Sequence, residues 1–193
     1  MNLFAQLRFL FNITHSEDIV RRYFVVNGFD GALTMLGLNM GFYVSDNVDL
    51  SVVISACLGA AVALGMSGLA SAYISEAAER KRWLSELEDA MITDLRGSAH
   101  RTAAKVVPLL VALVNSLAPL LISLFIITPL WLADAGILLP LAPVEAAIGL
   151  AFLTIFGLGV FLGRVSGRLW LWSGLQALLI ALATVLIIFI IGD

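Results

Sequence analysis

"VVNGFDGALTML", residues 25–36, sets an aspartate inside an apolar run long enough to cross a bilayer. An ionised carboxylate at membrane depth costs at least a few kcal/mol, so such residues face a protein interior or a wet cavity and carry a function. Asp30 is therefore the first functional candidate, and the run around it decides the kind of fold.

The rest of the chain expects the same apolar solvent. Of 193 residues, 61% are hydrophobic and 13% charged, and the mean hydropathy is +1.01, far from the balance of a soluble domain. A helix needs about 20 apolar residues to span the hydrocarbon. Five runs qualify, near 22–44, 51–75, 106–132, 144–163 and 169–191. They are continuously apolar and lack the period-two alternation of a membrane barrel. The expected fold is all-α: one transmembrane domain of five helices over 1–193, with residues 76–104 as a short helical extension. The opening "MNLFAQLRFLFNITHSED" has no small-residue cleavage site and reads as a retained interfacial helix. Cys57, the single cysteine, reads as a small packing residue.

Basic residues set the topology. Arg8, Arg21 and Arg22 precede the first run; Arg80, Lys81, Arg82, Arg96, Arg101 and Lys105 lie between the second and third; Arg164 and Arg168 separate the last two. The opposite side carries Asp134, Glu145 and Asp193 and no basic residue. The positive-inside rule then predicts a cytosolic N-terminus and a non-cytosolic C-terminus. A prokaryotic plasma membrane and a vacuole-type membrane both satisfy this reading.

Counted from the basic ends at about 1.5 Å per residue, Asp30, Met66 and Asn115 each fall about eight or nine residues deep, with Thr154 and Gln176 near the same level. Asn27, Asp30, Thr34, Gly37 and Gly41 step by threes and fours, a stripe expected to face the bundle. Carboxylate and amide oxygen suit divalent first-row metals, and a thioether disfavours magnesium and calcium. Asp30, Met66 and Asn115 thus make a mixed ligand set for a transported ion. The plainer alternatives are that Met66 fills space, that Asp30 pairs with Arg21 or Arg22, and that Asn115, Gln176 and Thr154 bond between helices.

Residues 75–101, "SEAAERKRWLSELEDAMITDLRGSAHR", read as an amphipathic helix continuing the second run, with Gly97 as its stop. Glu76, Glu79 and Glu86 fall on one face around Trp83, where clustered carboxylates could gather cations. The alternative is a solvated face tied by Glu76–Arg80 and Arg82–Glu86 pairs. His15 and His100 read as surface or headgroup contacts. Ser55, Gly59, Ala63, Ser67, Ser71 and Ser75 recur every fourth residue, a seam for a second copy or a neighbouring helix. Gly159, Gly163 and Gly167 make another, expected to pack against the first or the last run.

Three segments together resemble the vacuolar iron transporter family: "IVRRYFVVNGFDGALTMLGL" at 19–38 with its Asp30-Gly31 pair, "LGMSGLASAYISEAAER" at 64–80 with Met66, and "GRVSGRLWLWSGLQALLIALATVLIIFIIG" at 163–192. The resemblance implies a dimeric five-helix transporter that moves ferrous iron or manganese out of the cytosol in exchange for protons. The glutamate-rich domain that such transporters insert between helices two and three would here be absent or reduced to one helix. Asp30 is expected to alternate between protonated and metal-bound forms, since low-dielectric surroundings favour the neutral carboxyl until a cation arrives. The expected partners are the metal ion (Fe2+ or Mn2+), protons, the lipid bilayer and a second copy of the chain, with no nucleic acid and no fixed cofactor. No phosphate-binding loop, metalloprotease helix or nucleophile with a histidine at its depth marks an enzyme. The other reading is a non-transporting membrane assembly subunit whose polar layer only sets helix register.

Overall fold

The computed structural model describes residues 16–45, 48–91, 99–167 and 169–192. Among them are six α-helices and no strand: α1 Ser16–Val44, α2 Leu50–Met91, α3 Ala99–Ile126, α4 Thr128–Asp134, α5 Pro143–Val165 and α6 Trp170–Gly192. Four helices, α2, α3, α5 and α6, are long and apolar enough to cross a membrane. α1 is interrupted by Asn27, Asp30 and Asn39 and is not one of those four. Its place in the bundle fits that composition. It packs against α2, α3, α5 and α6, so neighbouring protein takes much of the surface that lipid would otherwise meet.

The second run and its extension form one unbroken 42-residue helix, α2, the continuation expected from the sequence. The third run divides after Ile126, and α4 restarts with proline in its first turn, where the missing N–H has no intrahelical partner to lose. α3 itself contains Pro108 and Pro119. Proline at 119 removes the N–H that would bond the carbonyl of Asn115, one turn earlier.

Both α1 and α2 pack tightly against that turn of α3. A Cβ on Gly31 would lie 2.7 Å from the Pro119 carbonyl oxygen, and one on Gly68 would lie 2.8 Å from the Asn115 carbonyl oxygen. Small residues replace hydrophobic drive as the reason for helix association in lipid, because lipid tails are as apolar as leucine. The glycine seam of α5 is resolved in the same way: Gly159 closes on Ser173 and Ala177, and Gly163 on Ser173 and Trp170, all of α6. Gly167 has φ +67° in the turn between them.

Two apolar clusters fill the interior. The larger joins Met35, Leu36, Val53, Cys57, Ile126, Leu130 and Ile155, and the smaller joins Ala72, Ala103, Val107, Val111 and Ala112 with Tyr23 beside it. Along α2 and α3 a polar layer separates them.

Candidate functional site

The layer is built around Asn115, 5% exposed. Its Oδ1 accepts a short hydrogen bond from Asn27 Nδ2, and its Nδ2 donates to the Gly68 carbonyl at 2.6 Å. Asn27 also donates to the Tyr23 carbonyl at 2.8 Å. One side chain of α3 therefore ties α1 to α2 at a single level. One of the two lone pairs of the Asn115 oxygen is thus engaged by Asn27.

Asp30 lies three residues beyond Asn27 on α1, and Met66 two residues before Gly68 on α2, so the Asn115 clasp holds both near one depth. Neither turns inward. Asp30 is exposed and makes no hydrogen bond or ion pair with a described residue; Met66 is 59% exposed. The stripe expected to face the bundle thus has Asp30 at its open edge, while α1 buries Val25, Gly28, Gly31, Ala32, Met35 and Leu36 instead. The reason is steric: the Gly31 face allows contact with Pro119, and it lies about 100° around the helix from Asp30.

The small-residue stripe of α2 shares this openness. Ser55, Gly59, Ala63, Ser67, Ser71 and Ser75 are all exposed, whereas Cys57, Ala61, Gly65, Gly68 and Ala72 are buried.

The three glutamates differ in their surroundings. Glu76 is 6% exposed; it accepts from the Tyr23 hydroxyl at 3.4 Å and pairs with Arg80 at 3.7 Å. Glu79 is exposed. Glu86 is exposed and bonds Arg82 at 2.8 Å, which raises the Arg82 pKa above its usual value. A wheel ignores length: Glu76 is still flanked by α1, while Glu86 lies about 15 Å further along the helix at 1.5 Å per residue. Both four-residue pairs named from the sequence form. Thr154 bonds its own helix at the Leu150 carbonyl, and Gln176 is exposed beside a cleft with Phe29 and Ser173. Among the described residues no three His, Cys, Asp or Glu side chains gather as a metal cluster. His15 and Gly97 lie outside the described residues, as does the side chain of His100.

Among the described residues, the buried polar side chains Asn39, Ser116 and Ser123 escaped the sequence reading. Asn39 donates to the Met35 carbonyl at 2.8 Å and leaves its Oδ1 without a partner, as does the Ser123 hydroxyl. Asn39 is off the stripe of Asp30, and a serine in an apolar helix carries no periodic signal.

Four apolar spans enclosing a hydrogen-bonded polar layer define an all-helical, multi-pass membrane protein. The chain is 29% identical over 188 residues to an uncharacterized protein of Methanocaldococcus jannaschii, covering 96% of this chain and 94% of that protein. No family model matches the chain. No solved structure matches it.

Proposed function

We propose that this protein is a homodimeric transporter, not an enzyme, that exports ferrous or manganous ions from the cytosol in exchange for protons. α1 serves as the fifth span, the basic end faces the cytosol and the C-terminus lies on the other side. The observation that carries the reading is Asp30: an exposed carboxylate with no described partner, in the middle of a helix packed among apolar spans. A charge left there is costly unless something arrives to meet it. Met66, exposed at nearby depth, supplies a softer donor, and a second copy would supply the same pair again. Asn115 helps by fixing the two helices in register. An incomplete shell finished by water lets the ion leave.

Glu79 and Glu86, exposed on the extension, are the cation-gathering carboxylates in this reading. Glu76 joins them only by releasing Tyr23 and Arg80. Asp30 couples the gradients: a proton from the non-cytosolic side displaces the metal and resets the site. The test is manganese uptake into proteoliposomes holding the full chain, with an acidic interior and the basic end outward. Wild-type protein is expected to accumulate metal in proportion to the pH gradient. Asp30→Ala abolishes flux with the helical spectrum unchanged, and Asp30→Asn loses the pH drive. Flux indifferent to the gradient in wild type overturns the antiport.

The hydrogen-bonded Asn115 clasp favours a second reading, an assembly subunit whose polar layer only sets register. That reading predicts no metal flux from wild-type protein.

A further inference from the structure

The inner side of the α2 extension faces the start of α3 across a cleft of about 340 Å³, lined by Ala77, Lys81, Leu84, Glu88, Arg101 and Lys105 among others. Three cations stand there against one carboxylate, and Glu88 is itself 4.0 Å from Arg101. Elsewhere on this helix each arginine is matched: Arg80 by Glu76, Arg82 by Glu86. Lys81 and Lys105 make no ion pair or hydrogen bond with a described residue. Among the described residues that line the cleft, cations outnumber carboxylates by two.

Its level identifies the ligand. α2 turns polar from Glu76 onward, and α3 becomes continuously apolar from Val106. The cleft sits at that boundary, where phospholipid phosphates lie. Ala77, Leu84 and Ala104 give it an apolar floor for a glycerol backbone, and its size falls in the ~300–1,000 Å³ range of small-ligand sites. A divalent cation would be repelled, so the cleft stands apart from the metal route and does not depend on it. Basic pockets between spans at the membrane surface are suited to anionic headgroups.

We propose that the cleft formed by Lys81, Arg101 and Lys105 binds the phosphate headgroup of an anionic phospholipid, holding the α2 extension against α3. The full chain in neutral detergent is offered equal amounts of phosphatidylglycerol and phosphatidylcholine with the same acyl chains, and retained lipid is counted by native mass spectrometry. Wild-type protein is expected to keep phosphatidylglycerol in preference. Lys81→Gln with Lys105→Gln weakens that retention about thirty-fold, while Arg82→Gln, whose guanidinium is already held by Glu86, changes it less than two-fold. Lys81→Arg with Lys105→Arg, which keeps both charges, retains the preference and controls for a folding defect. Equal retention of the two lipids by wild type, or an Arg82→Gln loss as large as that of the double lysine variant, overturns the site. Displacement of the lipid by inorganic phosphate at equal concentration overturns its assignment to a lipid.

Discussion

Asn115 and Asp30 show how differently two polar residues of one layer can be used. The amide of Asn115 is spent on both sides, on Asn27 and on Gly68, while the carboxylate of Asp30 is left open. Interhelical hydrogen bonds in membranes are worth about 0.6 kcal/mol on average and about 1.7 at most. Asn115→Ala removes two, while the Gly68 carbonyl keeps the Ser71 hydroxyl as a partner, so it should destabilise the fold by about 1–3 kcal/mol. Reversible unfolding in mixed micelles measures this; an unchanged midpoint would remove Asn115 as the clasp. The polarity of this residue was legible in the sequence, and so was the choice between ligand and interhelical bond. Which of the two holds depends on Asn27 and Gly68, 88 and 47 positions away, and no local pattern encodes such distances.

At the scale of elements, close approach is governed by a few glycines facing one turn of α3. Gly31→Ala would drive a methyl group into the Pro119 backbone, which cannot rotate aside. Overpacking of this kind costs about 1–3 kcal/mol. Gly41→Ala on the same helix meets nothing within 4 Å and is expected to be neutral or slightly stabilising. The pair of variants, compared by thermal unfolding, distinguishes a packing contact from a general intolerance of α1 to substitution; equal losses would contradict the geometry. The break of the third run at Ile127 was missed because its residues remain apolar across the break. Only the proline at 129, read as a helix start and not as an interruption, marks it. The α2 extension was anticipated, together with its two ion pairs. The burial of Glu76 was not, because it is made by Tyr23 of a different helix.

For the whole molecule, the open edge of α1 and the small-residue stripe of α2 present surfaces to which a second copy can come close. If the stripe is the seam, Ser67→Cys in a Cys57→Ala background should cross-link between copies in native membranes. Leu153→Cys, on an exposed face of α5, should not. Cross-linking of both alike, or of neither, would place the seam elsewhere. Metal preference belongs to this scale too, since in the proposed transporter a second copy adds its own Asp30 and Met66 to the shell: manganous ion should outcompete magnesium in a binding titration, and Met66→Leu should narrow that margin while leaving the dimer intact.

Composition and run lengths determined the apolar solvent and the helical class, because these follow from counts. The direction in which each helix faces was decided only by tertiary structure. A soluble helix announces its buried side by an apolar stripe, but a span is apolar all round and lipid is no poorer a solvent for leucine than a protein core. Facing was instead set by which backbones could approach, Gly31 on Pro119, Gly68 on Asn115 and Gly159 on Ser173. Those contacts turned Asn115 inward and left Asp30 and Met66 at the surface.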